Sequence, residues 1–224
     1  MTYKIEVPPM CEPEILPKVI PYFKNRSKFV DVGASDGWYT YVAAKEMPSG
    51  STIIGFEPVP WIFDKYKNHY VASWAPEDWF KNKTIHCYNQ VVSDQSGIDT
   101  KFYKTKNHSG VMDPLLLLKK PEAFEESWDI PTTKLDDFLD PSEKGVLIKI
   151  DVEGGEDKVI KGGNYYFSNC VECYVFLELH NSYLLNKGVP PQTVVKYFTD
   201  RGYEKIKLGG HGRIEWYIFR KEIK

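Results

Sequence analysis

The sequence predicts an α/β fold: a doubly wound, mostly parallel β-sheet that closes on an antiparallel hairpin. From residue 28 onward, short apolar runs alternate with segments of helical spacing, the pattern of parallel strands covered by helices on both faces. The first run, 28–32, ends in a glycine turn that opens into a helix. A Gly-Gly-His-Gly linker at 209–212 joins the last two apolar runs, which predicts the C-terminal hairpin.

Length and charge limit the classes of protein to consider. A chain of 224 residues suits one α/β domain, and its formal net charge of -2 favours no nucleic-acid partner. No apolar run approaches the ~20 residues that cross a bilayer, so we expect no contact with a membrane. The four cysteines lack a complete metal-binding spacing, and we expect free thiols in a soluble, cytoplasmic protein.

The first 27 residues are predicted to be an N-terminal extension to a domain that spans 28–224. They contain five prolines, and apolar residues from Leu16 to Phe23 have helical spacing. Pro17 and Pro21 limit the length of any helix. We therefore expect one short helix packed against the edge of the domain.

The first half of the domain is predicted to alternate strand and helix. Pro58 and Pro60 mark the start of the second helix, because a proline in the first turn costs no hydrogen bond. Asp-Gln-Ser-Gly at 94–97 is a typical turn and separates the third strand from a fourth extended piece. The predicted strands are 28–32, 51–57, 84–92 and 98–103, and the predicted helices are 37–47 and 58–70.

Residues 104–130 interrupt this alternation and are predicted to be a lid or a disordered insert. His108, in this insert, is a second candidate for a catalytic base, and the apolar run Leu115–Leu118 could equally form a dimer contact. The alternation then resumes. The predicted strands are 146–150, 171–179, 203–208 and 215–220, and the predicted helices are 155–163 and 190–201.

Two apolar runs that end in carboxylates predict a nucleoside site. The first ends at Asp31 and turns at Gly33, and the second ends at Glu57, where a carboxylate can accept hydrogen bonds from two ribose hydroxyls. Dinucleotide folds need G-x-G-x-x-G, but positions 33–38 read Gly-Ala-Ser-Asp-Gly-Trp, and Asp36 would repel a pyrophosphate. S-adenosylmethionine (SAM), which joins a ribose to a cationic centre, fits this pattern better than NAD.

Five motifs in register carry a resemblance to a known family. They are Asp31-Val32-Gly33-Ala34-x-x-Gly37, Gly55-Phe56-Glu57-Pro58, Val91-Val92-Ser93-Asp94-x-x-Gly97, Thr133-x-Leu135-Asp136-Asp137 and Ile148-Lys149-Ile150-Asp151-Val152-Glu153-Gly154-x-Glu156. With these motifs the chain resembles FkbM-type methyltransferases over residues 28–208. The resemblance implies the class I SAM-methyltransferase fold, which is Rossmann-like. It also implies a SAM-dependent O-methyltransferase that acts on a hydroxyl of a small or sugar-containing acceptor.

The resemblance also implies where SAM binds. Glu57 would hold the ribose, and Gly33 would bring backbone close to the ligand. Asp31 would either hold the turn or reach the methionine amino group, while Ser93 would lie near the adenine. The expected cofactor-binding residues are Asp31, Gly33, Ala34, Asp36, Gly37, Glu57, Ser93 and Asp94.

Candidate catalytic residues follow two later strands, at the edge of the sheet where ligands bind. Methyl transfer to a hydroxyl needs a base to remove its proton or a metal to lower its pKa. We expect His180 or Asp151 as the base, with Glu178 on the same strand face as His180. These three are a permissible set for Mg²⁺ but not a diagnostic one. Glu153 and Glu156, near the start of a helix, are better explained by the helix dipole.

Asp36 and the missing G-x-G-x-x-G argue against a third class, an NAD-dependent oxidoreductase, and two further alternatives remain beside the O-methyltransferase. One is a non-catalytic protein that uses the same fold as an interaction scaffold, although Gly33 and Glu57 argue against it. The other is an N-methyltransferase, whose usual Asn/Asp-Pro-Pro-aromatic motif is not matched by Asp151-Val152-Glu153-Gly154.

Overall fold

A computed structural model describes residues 7–74, 76–105 and 124–222 of the chain. The strands are β1 (Lys28–Val32), β2 (Thr52–Phe56), β3 (Thr84–Tyr88), β4 (Val91–Val92), β5 (Asp99–Thr105), β6 (Phe124–Thr133), β7 (Val146–Ile150), β8 (Glu172–His180), β9 (Glu204–His211) and β10 (Ile214–Glu222). The helices are α1 (Leu16–Phe23), α2 (Trp38–Glu46), α3 (Pro60–Asp64), α4 (Ala72–Trp74), α5 (Asp78–Lys81), α6 (Glu156–Gly162), α7 (Asn164–Asn169), α8 (Asn181–Asn186) and α9 (Pro191–Thr199). A π-helix, Lys65–Val71, joins α3 to α4, and Leu135–Asp137 is a 3₁₀-helix.

The main sheet has the strand order β3-β2-β1-β7-β8-β10-β9. Strands β3, β2, β1, β7 and β8 pair in parallel, whereas β10 is antiparallel to both of its neighbours. The predicted doubly wound sheet and its C-terminal hairpin are therefore confirmed. The chain crosses over between β1 and β7, the place where an open α/β sheet leaves a crevice for a ligand.

Helices cover both faces of this sheet, and β7 shows the consequence for the sequence. Val146, Ile148 and Ile150 pack into a core cluster with α6, α7 and α9, while Leu147 packs on the opposite face with α1 and α2. A strand buried on both faces is apolar at every position instead of at every second one. The exception within β7 is Lys149, which is only 3% exposed.

Helix α1 lies within the predicted N-terminal extension and contributes to the core. Leu16, Val19 and Phe23 are buried in the same apolar cluster as α2. Pro17 occupies the first turn of this helix, and Pro21 lies inside it. The boundary predicted at residue 27 stays a prediction, but the helix before it packs as part of the domain.

The prediction of one strand at 84–92 is wrong. Strand β3 ends at Tyr88, and β4 leaves the main sheet to pair in parallel with β6. Between them, the side-chain amide of Asn89 donates to the carbonyl oxygens of Glu57 and Pro58, both at 2.9 Å. These bonds fix the turn that redirects the chain, which the apolar pattern alone does not encode.

The lid or disordered insert at 104–130 stays a prediction, and its described ends lie in β-strands. Strands β5 and β6 are antiparallel partners and, with β4, form a second, three-stranded sheet. Positions 106–123, which include His108 and the run Leu115–Leu118, lie outside the described residues. Within the described ranges, no helix is long and apolar enough to cross a membrane.

Candidate functional site

A cavity of about 500 Å³ opens at the carboxyl ends of β1, β2 and β7. Its volume lies within the range of small-molecule and cofactor pockets. The second sheet borders this cavity through Thr100–Phe102 of β5. Of the residues predicted to bind a ligand, Gly33, Glu57, Ser93 and Asp151 line it. Four residues predicted from separate motifs thus meet at one cavity.

The turn after β1 requires glycine at position 33. Gly33 has a φ of +82°, and a Cβ there would lie 1.8 Å from the carbonyl oxygen of Asp151. The amides of Gly33 and Ala34 donate to the carbonyl of Phe56, which ties the turn to the end of β2. Gly37, also at positive φ, lies against the ring of Tyr66. Backbone atoms thus lie next to the cavity where a side chain would not fit.

Glu57 is 5% exposed and fixed by two backbone amides. Its Oε2 accepts a hydrogen bond from the amide of Ser35 at 2.9 Å, and its Oε1 accepts one from Val59 at 2.8 Å. Burial raises the pKa of Glu57 to about 7, although both amides oppose the shift. A carboxylate has about four acceptor positions, so this arrangement leaves two for ribose hydroxyls.

Asp31 supports the turn from behind and is fully buried. Its Oδ2 accepts a hydrogen bond from Thr40 at 2.8 Å, and its Oδ1 lies 3.8 Å from Nζ of Lys149. Burial raises the pKa of Asp31, and Lys149 opposes the shift. Lys149 also donates to Oδ2 of Asp151 at 2.9 Å. The bond from Thr40 matches the structural role expected for Asp31, while Oδ1 has no hydrogen-bond partner among the described residues.

The remaining predicted cofactor residues occupy different surroundings. Ser93 is buried beside the cavity and donates to Asp94, which is exposed. Asp36 forms an ion pair with Lys65 at 2.8 Å, and with Ala34 it lines a second, smaller cavity.

His180, at the end of β8, is surrounded by carboxylates. Its Nδ1 lies 2.8 Å from Oε1 of Glu156. Its Nε2 lies 3.3 Å from Oε1 of Glu178, 3.7 Å from Glu153 and 3.9 Å from Asp151. Burial lowers the pKa of His180, but the carboxylates outweigh it and raise the pKa to about 11. The surrounding carboxylates therefore favour the imidazolium form, whereas the role predicted for His180 as a base requires the neutral ring.

Glu156 and Glu178 fix the two ring nitrogens of this histidine. Glu156 is fully buried, so its contact with His180 is a specific one and not the dipole effect that the sequence suggested. Glu178 is also buried and accepts a hydrogen bond from Nε1 of Trp216 at 3.0 Å. Burial raises the pKa of Glu178, but His180, Lys149 and Glu12 together lower it to about 2.

Three side chains of this cluster fit a divalent cation. Asp151, Glu178 and His180 each offer one ligand atom, and these atoms lie within 4.8 Å of one another. Glu156 at Nδ1 orients the histidine ring as carboxylates do behind metal-bound histidines. Oxygen ligands are those that Mg²⁺ prefers, so the predicted set meets in space.

Two charged residues beside the candidate site, Lys149 and Glu12, were given no role from the sequence. Lys149 contacts Asp31 and Asp151, and a lysine inside an otherwise apolar strand was the available signal. Glu12 reaches the smaller cavity from the segment before α1, and no motif marks it.

The family model and the solved structures that this chain resembles are methyltransferases. The family model described as the methyltransferase FkbM domain matches residues 31–205. A methyltransferase FkbM from Methylobacillus flagellatus has a TM-score of 0.57 at 17% identity, covering 88% of this chain and 44% of that one. The chain thus spans less than half the length of that protein. The O-methyltransferase TomG from Streptomyces achromogenes, in complex with SAM, has a TM-score of 0.50 at 9% identity, covering 94% and 79%. No curated protein matches the sequence.

Proposed function

The chain belongs to the FkbM methyltransferase domain family, and we propose that this SAM-dependent methyltransferase acts on a hydroxyl of a small or sugar-containing acceptor. The observation that carries the proposal is the cluster of Asp151, Glu178 and His180, whose Asp151 lines the cavity. A hydroxyl needs such groups because it must lose its proton during methylation. An amine acceptor that is already neutral has less need of them.

The residues of the cavity fit SAM, which supplies an activated methyl group when it is bound. Glu57 would accept hydrogen bonds from the ribose, with its carboxylate held in place by Ser35 and Val59. Gly33 would let the backbone lie against the ligand, and Ser93 would lie near the adenine. Because the methyl group is already activated, the protein mainly has to position the acceptor and remove its proton.

We assign the removal of this proton to Asp151. Its side chain is 24% exposed, whereas His180 and Glu178 lie more deeply buried behind it. Lys149 donates to one oxygen of Asp151, and His180 lies 3.9 Å from the other. These cations orient the carboxylate, so Asp151 can accept a hydrogen bond from the acceptor hydroxyl.

A divalent cation at Asp151, Glu178 and His180 is the second way to activate the hydroxyl. Such a cation would bind the hydroxyl oxygen and lower its pKa, and Asp151 would then be a ligand instead of a base. The two routes differ in their response to a chelator. Activity that EDTA abolishes and Mg²⁺ restores would favour the cation, and activity that EDTA leaves unchanged would favour Asp151 alone.

The test of the proposal is methyl transfer from SAM to matched pairs of hydroxyl and amine acceptors, sugars included. We expect methylated hydroxyls, and we expect Asp151→Asn to lower kcat, measured at saturating SAM, by about 100-fold or more. Asp157→Asn is the matched control, because Asp157 lines the same cavity but lies on α6 in an ion pair with Lys161. Transfer to amines alone, or equal loss in both variants, would contradict the proposal.

A further inference from the structure

The large cavity is lined by three lysines from three different parts of the fold. Lys101 lies on β5, Lys158 lies on α6, and Lys187 directly follows α8. SAM carries a positively charged sulfur, no phosphate, and one carboxylate beside its own ammonium group. The cofactor therefore has no net negative charge for these lysines to bind.

The acidic side chains that follow β7 in the lining of this cavity already lie beside cations. Asp157 forms an ion pair with Lys161 at 3.2 Å. Nε2 of His180 lies 3.7 Å from a carboxylate oxygen of Glu153 and 3.9 Å from one of Asp151. These three carboxylates are thus compensated without the lysines of the cavity.

Two of the three lysines have no carboxylate partner among the described residues. Lys101 forms an ion pair with Asp129 at 3.2 Å. The side chain of Lys158 is exposed and makes no hydrogen bond or ion pair with the described part of the chain. Lys187 is half-buried and donates to the carbonyl oxygen of Gly154 at 2.9 Å, which uses one of the three N–H bonds of its ammonium group. Both Lys158 and Lys187 can therefore donate to a ligand.

Lys187 is fixed beside the loop that carries the reacting groups. Gly154, whose carbonyl oxygen accepts its hydrogen bond, follows Asp151 by only three positions. Gly154 has a φ of +97°, and a Cβ there would lie 2.5 Å from Cβ of Tyr183 on α8. The backbone amide of Lys187 donates to the carbonyl of Leu184 at 3.0 Å. The close packing of the loop on α8 thus fixes where this ammonium group lies.

An anionic group bound by these two lysines would orient the acceptor in the cavity. Phosphate and carboxylate oxygens accept charge-assisted hydrogen bonds from ammonium groups. A neutral acceptor would make no such contact. An anionic acceptor would be held on the α8 side of the cavity, which leaves its hydroxyl free to reach Asp151 on the same loop.

We propose that the acceptor carries an anionic group, a phosphate or a carboxylate, and that Lys187 and Lys158 bind this group. The inference rests on the proposed function, and it narrows the acceptor from a small or sugar-containing alcohol to an anionic one. Both lysines act in binding, and neither takes part in the removal of the proton.

The experiment is calorimetric titration of the protein with three sugars that differ at carbon 6: glucose, glucose 6-phosphate and glucuronate. The protein is first saturated with S-adenosylhomocysteine, which is what remains of SAM after methyl transfer. We expect at least one of the two anionic sugars to bind about tenfold more tightly than glucose, or better. The tighter of the two identifies the anion as a phosphate or a carboxylate.

Variants then test whether the two lysines cause this preference. Lys187→Met and Lys158→Met should each lower it to about threefold or less, whereas Lys187→Arg keeps the charge and should retain most of it. Lys205→Met is the matched control, because Lys205 is exposed on β9, at the far edge of the main sheet, and should leave the preference unchanged. With an anionic acceptor that is methylated, Lys187→Met should raise KM and leave kcat nearly unchanged.

The outcomes separate the inference from the proposed function. Equal affinity for the three sugars, no binding of any of them, or an unchanged preference in both methionine variants would overturn the inference. Protein that binds an anionic sugar through these lysines but methylates no hydroxyl would leave the anion site standing and remove the proposed function. Methylation of a neutral hydroxyl with the same kcat and KM in wild-type protein and Lys187→Met would keep the proposed function and overturn the inference.

Discussion

The two ends of the large cavity are built from different kinds of contact. At the end that we assign to the nucleoside, backbone amides of Ser35 and Val59 fix Glu57, and glycine backbone forms the adjoining wall. At the reacting end, charged side chains from β7, α6 and β8 fix one another around His180. A carboxylate held by backbone tolerates changes in neighbouring side chains, whereas each member of a charge network depends on the others.

The largest expected effect comes from the position where the two ends meet. Gly33→Ala would place a Cβ 1.8 Å from the carbonyl oxygen of Asp151 at a positive φ. We expect a loss of about 3 kcal/mol or more in the free energy of unfolding, measured by urea denaturation, together with loss of SAM binding. Gly50→Ala is the matched control, since Gly50 also has a positive φ but nothing within 4 Å. Gly50→Ala should lower the free energy of unfolding by only about 1 kcal/mol. An equal loss in the two variants would show that the clash at position 33 is relieved.

The next effect should be confined to the reacting end. Glu156→Gln keeps the shape of the side chain but removes the charge that lies 2.8 Å from Nδ1 of His180. We expect kcat to fall on the order of 30-fold while the affinity for S-adenosylhomocysteine stays the same, because Glu156 contacts His180 and the amide of Gly154 but does not line the cavity. Glu153→Gln is the control, since that side chain is half-exposed and 3.7 Å from the same ring. A loss of cofactor affinity in Glu156→Gln would mean that the two ends are coupled.

The difference between the two ends of the cavity also bears on which residues could be predicted from the sequence. Gly33 and Glu57 lie within short motifs at the ends of two strands, so the pattern places both beside the cavity, although Ser35, 22 positions away, helps to fix Glu57. Lys149 and Glu12 act through residues far along the chain, and the contact of Glu156 with His180 spans 24 positions. Propensity offers a sufficient local reason for an acid at the start of a helix, and that reason concealed the contact. The exit of β4 from the main sheet also depends on a distant contact, that of Asn89 with Glu57 and Pro58.

The smallest expected effect tests the nucleoside end by pH. Burial raises the pKa of Glu57 to about 7, and the two ribose hydroxyls are donors that need the ionised carboxylate. About a tenth of the sites are ionised at pH 6 and about nine-tenths at pH 8, so affinity for 5′-methylthioadenosine should rise about tenfold between them. Calorimetry at both pH values measures this change, and Glu57→Gln should bind weakly with no such dependence. The thioether ligand carries no ionisable amino-acid group, so its binding profile reports mainly on the nucleoside end. An affinity that falls as the pH rises would mean that a protonated Glu57 donates a hydrogen bond to the ligand. Binding at the nucleoside end would then depend on a protonated side chain, as the charge network at the reacting end does.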